Sequence, residues 1–461
     1  MLFSSLFAKT AEYEKLAHAL SAPGACALFG LPGSGRAMVY AALAKETGRF
    51  LCIVTPGEAE ATRFAGDLNA LGIPTAVFPA RDYVLRPIEG TAREYESRRL
   101  SVLGDIVGGR LQAVCVPDEG LTQYTTPRAE FCNNTRTLHP GDTVPRTELT
   151  ALLYNAGYAR RAQVDGPGQF SIRGDIVDLY APDMKLPVRM EFWGDEIDTM
   201  HTFDLATQRR EDPIEKIYVS PAREVLFGSP AEAAELLRAF IKKFRGKKRT
   251  ALEACLATEL AQLDGGALPV NMDKYLAVRY PQPATLLDYF DDPLLVLEEP
   301  ASLREAERAT TYRRGEEISA LLQDGVLAAG LDNLYAENGY LWAQAANHRT
   351  ICAENFARSM PDIPLKDIVN APAHTLPAWG GEVTSLLEDL QPLCNGGAAV
   401  TVLAGTQRAA AGLAADLRTK GLLVTTDPDA APGAGLVQVL PGQLSAGCSV
   451  PFAKYALFTA R

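Results

Sequence analysis

Residues 157–198 read GYARRAQVDGPGQFSIRGDIVDLYAPDMKLPVRMEFWGDEID, and the alternation inside this stretch decides how the rest of the chain is read. In Val188-Arg189-Met190-Glu191-Phe192 a period of two puts Val188, Met190 and Phe192 on one face and Arg189 and Glu191 on the other. Trp193-Gly194-Asp195-Glu196 supplies a turn before Ile197-Asp198-Thr199-Met200, so the segment folds back as a hairpin. Upstream, Phe170-Ser171-Ile172-Arg173 alternates in the same way and ends at Gly174-Asp175, which reads as a bulge or tight bend. The apolar rows predict a core face. The polar rows predict a wet face on which Arg160, Arg173, Arg189 and Glu191 gather. Taken alone, those charges need do no more than solubilise a small sheet.

Arg160, Phe170, Arg173, Gly174, Asp178, Arg189, Glu191 and Phe192 stand in an order and spacing that resemble the domain shared by the excision-nuclease subunit UvrB and bacterial transcription-repair coupling factors. In that family the domain docks onto UvrA. The resemblance implies UvrA as the partner, with contacts at Arg160, Arg173, Arg189 and Glu191, and with Phe170 and Phe192 in the same protein-binding set. One contact arginine of the nuclease subunit falls where this chain has Ser171, so that part of the interface differs. A charge-led interface further implies that Arg173→Ala or Arg189→Glu weakens docking about ten-fold or more while the fold stays intact.

The length of 461 residues suits roughly three or four domains. An apolar share of 47% and a charged share of 22% are those of globular chains. The net charge of −11 argues against an overall field that attracts nucleic acid, so any affinity for DNA has to be local. The start, MLFSSLFAKTAEYEKLAHAL, lacks the basic beginning and long apolar centre of a signal peptide. No run approaches the roughly 18 apolar residues that span a bilayer, so no membrane association is expected and the location is read as cytoplasmic. The eight cysteines form no CxxC pair and read as buried free thiols, and the five histidines show no HxxxH spacing. No metal centre is expected.

From residue 1 to about 120, helix and strand patterns alternate, which predicts a parallel α/β sheet. Helices are expected over 8–20, 57–71 and 91–107, and strands at 26–29, 50–54, 75–78 and 111–116. After the first strand comes Gly30-Leu31-Pro32-Gly33-Ser34-Gly35-Arg36-Ala37, the spacing of a phosphate-binding loop with Arg36 for its lysine and Ala37 for its hydroxyl residue. A planar guanidinium does not fill the place of a compact ammonium, and Ala37 cannot ligand Mg²⁺. The glycines Gly30, Gly33 and Gly35 still offer amides to an anion. Nucleotide turnover is therefore not expected, no residue is assigned a catalytic role, and no cofactor is expected for these residues. The same loss favours the coupling factors over the nuclease subunit. So does the short stretch from Val84 to Arg93, which leaves no room for the tyrosine-rich hairpin with which the nuclease subunit clamps damaged DNA.

The expected architecture is multidomain α/β. A helicase-like parallel domain with a degenerate phosphate loop occupies 1–120 and 211–325, a small β-rich α+β docking domain is inserted at 121–210, and a separate α/β domain covers 326–461. Within 211–325, helices are expected over 231–263, and the run Lys242-Lys243-Phe244-Arg245-Gly246-Lys247-Lys248-Arg249 reads as a solvated helix end. Leu294 to Glu299 resembles the helicase strand that ends in a metal-holding acidic pair, read here as a buried strand with leftover carboxylates. The stop directly after a strand suggests a longer protein. By resemblance that protein would go on to bind RNA polymerase and move on double-stranded DNA with ATP and Mg²⁺. The alternatives are a UvrB-like ATP-dependent helicase or nuclease subunit, which needs an intact phosphate loop, and a direct DNA-binding module, which needs a basic stripe with stacking aromatics.

Overall fold

The computed structural model describes residues 9–86 and 93–460. Strands β1 (Gly24–Phe29), β2 (Leu51–Thr55), β3 (Thr75–Val77) and β4 (Ala113–Pro117) alternate with helices α1 (Ala11–Ala19), α2 (Gly33–Thr47), α3 (Glu58–Ala70) and α4 (Glu94–Val107). Every residue of β1, β2 and β4 is buried, as parallel strands covered on both faces must be. The expectation that the stretch from Val84 to Arg93 is too short for a clamping hairpin falls, at residues 87–92, outside the described residues. So do residue 8 of the first expected helix and residues 91 and 92 of the third.

The chain then leaves this sheet through β5 (Arg136–Leu138) and helix α5 (Arg146–Asn155). It builds β6 (Ala159–Arg160), β7 (Gln169–Arg173), β8 (Ile176–Tyr180), β9 (Val188–Trp193), β10 (Glu196–Phe203) and β11 (Arg210–Pro213), and returns through β12 (Ile217–Val219). The six middle strands form one sheet in the order β11-β10-β9-β8-β7-β6, antiparallel except at the β6–β7 edge. Of the two readings of Gly174-Asp175, the tight bend holds and the bulge does not: the pair is the two-residue turn of the β7–β8 hairpin, with Gly174 at φ 59°. Gly194-Asp195 repeats the device between β9 and β10, with Gly194 at φ 63°. Strand β5 pairs with β12, Leu138 opposite Ile217, so the two ends of the insert lie side by side. The insert therefore runs on to Val219 rather than ending at 210, because β12 is what closes it.

The return adds α6 (Pro230–Lys242), α7 (Gly246–Asp264), β13 (Leu294–Glu298), α8 (Pro300–Gln323), β14 (Arg349–Glu354) and β15 (Leu365–Asn370). The completed sheet has seven parallel strands in the order β15-β1-β14-β13-β2-β4-β3. The boundary expected at 325 is thus corrected to beyond Asn370, since β14 and β15 flank β1. Parallel partners are joined by long crossovers, so nothing local in sequence says which sheet a strand enters.

The last part comprises β16 (His374–Leu376), α9 (Val383–Asn395), β17 (Ala399–Leu403), α10 (Gln407–Thr419), β18 (Leu423–Thr425), β19 (Leu436–Leu440), β20 (Gly447–Val450) and β21 (Tyr455–Thr459). Its sheet runs β16-β20-β21-β17-β19-β18. This α/β layer is not separate in its packing. Leu444, Cys448, Val450, Tyr455 and Leu457 share one apolar cluster with Ala37, Met38 and Tyr40 of α2. Ser445 donates its N–H and hydroxyl to the two carboxylate oxygens of buried Asp67 on α3, at 2.7 and 2.6 Å. Among the eight cysteines, all free, Cys132 is exposed and Cys255 and Cys394 half-buried, against the expectation that all are buried. Among the described residues no helix is long and apolar enough to cross a membrane.

Candidate functional site

The insert's sheet has two faces, and strand parity assigns each site residue to one of them. Phe170, Val177, Leu179, Val188, Met190, Phe192, Ile197 and Met200 form the inner face, packed with Leu149 and Leu153 of α5. The ring of Tyr154 meets Phe170 edge-on at 5.4 Å. Phe170 and Phe192 are thus core residues, and their place in a protein-binding set is corrected: neither reaches the surface.

The outer face is built around Asp178, whose side chain is fully buried. Arg189 Nε donates to one of its carboxylate oxygens at 2.7 Å and Nη2 to the other at 2.9 Å, the two-pronged pairing a guanidinium is shaped for. Arg189 Nη1 donates to the Gln208 carbonyl at 3.2 Å, and the guanidinium lies 4.6 Å over the Phe203 ring. The hydrogen bonds to Asp178 hold the Arg189 pKa above its ordinary value against the opposing effect of burial. With only 12% of its side chain exposed, Arg189 is a positioning residue, not a free fork. That corrects the expectation that Arg189→Glu leaves the fold intact, because the new carboxylate would face buried Asp178.

Arg173 differs. Its Nη2 donates to Asp178 at 2.6 Å, but 47% of the side chain is exposed, so its remaining donors point to solvent. Glu191 is half-buried, paired with Arg210 and accepting from the Thr199 hydroxyl. Arg160 is exposed, but β6 places it opposite Phe170. In a parallel pair, partners share a face, so Arg160 stands at the sheet edge with the parity of the inner row and does not join the other three. Ser171 is buried opposite Asp178, and its hydroxyl has no partner among the described residues. In the sequence Trp193 reads only as part of a turn. The structure leaves it 83% exposed, beside the outer row. Its place two residues after Glu191 carried that parity.

The glycine loop is shaped differently from a phosphate cradle. Helix α2 begins at Gly33, straight after Pro32, so Gly33, Ser34 and Gly35 belong to the helix. Arg63 Nη1 lies so close over Gly33 that a Cβ there would collide with it. Arg36 is buried and pairs with Glu299 at 2.8 Å and Glu298 at 3.3 Å, while the Tyr40 hydroxyl donates to Glu298 at 2.6 Å. Burial lowers the Arg36 pKa, but Glu298, Tyr40 and Glu299 outweigh it and keep the guanidinium charged. Burial pushes the Glu298 carboxyl up, with Arg36 and Tyr40 opposing. Glu299 sits at φ 50°, a left-handed conformation that an ordinary side chain adopts only when its surroundings fix it. The acidic pair and the basic residue that would share a metal-bound nucleotide instead neutralise each other. Ala37 offers no oxygen to a metal, so this set does not fit Mg²⁺-nucleotide.

Residues 137–225 match the family described as the UvrB interaction domain. The chain is similar to the transcription-repair-coupling factor of Bacillus subtilis (strain 168), 26% identical over 444 residues that make up 94% of this chain and 38% of that protein. It is also similar to the transcription-repair-coupling factors of Staphylococcus haemolyticus, 24% identical over 447 residues, and of Staphylococcus aureus (strain MRSA252), 23% over 445. Each of those alignments covers 94% of this chain and 37% of the relative. The resemblance read from residues 157–198 therefore extends over nearly the whole chain, which spans less than two fifths of the length of these relatives.

Proposed function

We propose that this chain is a recruiting module of the coupling-factor type, which binds UvrA through the outer face of its inserted domain and performs no chemistry itself. The observation that carries this reading is the outer face itself: half-exposed Arg173 and the Glu191–Arg210 pair, with Trp193 projecting from the end of β9. An exposed aromatic beside an arginine on a rigid sheet is the composition of an interface hot spot. Asp178 and Arg189 stiffen the platform from beneath, which lowers the entropy lost on docking. The Arg36 cluster supports the non-catalytic part of the reading. By the same resemblance, ATP-driven movement on double-stranded DNA and displacement of RNA polymerase belong to the larger relatives as whole proteins, with ATP and Mg²⁺ as their cofactors.

Calorimetric titration with UvrA at low and moderate salt tests the reading. Saturable binding that weakens with salt is expected, and Trp193→Ala and Arg173→Ala should each lower the affinity about ten-fold or more. Wild-type affinity in both variants would place the interface elsewhere.

A further inference from the structure

The corner between α6 and α7 takes part in neither the docking face nor the glycine loop. From Leu236 to Leu252 the chain carries Arg238, Lys242, Lys243, Arg245, Lys247, Lys248 and Arg249 and no carboxylate, in a protein of net charge −11. All seven are exposed. Arg238 pairs with Asp264 and Arg249 with Glu253, whereas the other five have no ion-pair partner among the described residues. The corner is rigid. Leu237 and Ile241 of α6 and Leu252 and Leu256 of α7 are buried, and the rings of Phe240 and Phe244 pack 5.2 Å apart against Gly330.

Lys247 and Lys248, in the first turn of α7, stand where a positive charge destabilises the free protein. Like charges crowd within two helical turns, and the first turn of α7 holds no acidic residue to balance Lys247 and Lys248. A helix end evolved only for solvation favours the opposite sign there, because the amide dipoles already make it positive. A bound polyanion offsets both effects.

We propose that the α6–α7 corner is a binding surface for the phosphate backbone of duplex DNA, distinct from the docking face. Two features select that occupant. Phe240 and Phe244 are half-buried and packed on each other, so the corner lacks the exposed rings on which single-strand binders stack bases. No large apolar side chain is exposed between Leu236 and Leu252, so the corner also lacks the anchor of a protein interface. The overall negative charge does not cancel the patch, since salt screens it beyond about 10 Å.

Fluorescence anisotropy of the whole chain with a labelled duplex of about 20 base pairs tests this. Five phosphate contacts give a slope of log affinity against log salt near −4.5, a loss of roughly 500-fold between about 50 and about 200 mM. Lys242→Glu/Lys247→Glu/Lys248→Glu should abolish duplex binding and leave UvrA binding unchanged. Lys247→Ala alone should make the slope shallower by about 0.9, which keeps the test open should the triple variant misfold. The proposal fails if the folded wild-type chain does not bind at about 50 mM salt, if these variants keep the wild-type affinity and slope, or if a single strand of equal length binds ten-fold more tightly.

Discussion

Asp178 divides the work of the two arginines beside it. It is fully buried, and Arg189 covers both of its oxygens while Arg173 reaches one from the solvent side. Removing Arg189 strands a buried carboxylate with a single, half-exposed partner. Arg189→Ala should therefore lower the unfolding free energy of the insert by about 3 kcal/mol. Arg173→Ala should lower it by less than about 1 kcal/mol, because Arg189 still covers both oxygens of Asp178 and the lost contact is half-exposed. Urea unfolding of the two variants checks this directly. If Arg189→Ala unfolds at the wild-type urea concentration, Asp178 is not held as described. In Asp178→Ala/Arg189→Ala, with both partners gone, the loss should be smaller than the sum of the two single losses.

At the scale of an element, adjacent residues of the β9–β10 hairpin have opposite roles. Phe192 faces the inner cluster and Trp193 faces water. Phe192→Ala should cost about 3–5 kcal/mol of stability, the usual result of emptying a packed aromatic site. Trp193→Ala should move stability by no more than about 0.5 kcal/mol, so its effect falls on UvrA binding alone. Chemical unfolding beside the titration separates the two, and equal stability losses would mean that the hairpin is out of register. This parity was legible in sequence because the period of two is a local property. Which arginines stay accessible was not legible, since that depends on Asp178 lying opposite Arg189 across two strands. The same limit hid the fate of Arg36. Its replacement of a lysine was visible, but its partner Glu299 lies 263 residues away, so the ion pair that fills the loop had no local signature. The boundary past Asn370 escaped for the equivalent reason, while the turns at Gly174 and Gly194 and the buried strands β1, β2 and β4 announced themselves through short-range pattern.

At the scale of the whole molecule, a buried ion network fixes the insert to the body. Glu224, just beyond β12, accepts from Arg99 Nε of α4 at 2.6 Å and pairs with Arg81 at 3.2 Å. Arg81 in turn pairs with Asp273 at 2.7 Å, and the Glu224 N–H donates to Glu96 at 3.1 Å. The network thus joins the first sheet, the exit of the insert and the helical segment that follows it. Arg99 also lies 4.2 Å over the Phe78 ring and donates to Gln123 at 3.0 Å, so its position survives the loss of one partner but its charge is no longer balanced. Glu224→Ala should lower stability by about 3–5 kcal/mol, since a buried guanidinium is left without its carboxylate. Arg249→Ala, which breaks an exposed pair with Glu253, should change it by less than about 0.5 kcal/mol. Because the docking face lies wholly within the insert, Glu224→Ala should still bind UvrA with wild-type affinity under conditions where it remains folded. Unfolding at the wild-type denaturant concentration would show that the insert is held by its apolar contacts alone. Lost UvrA affinity in a folded Glu224→Ala protein would instead show that docking depends on how the insert sits against the body.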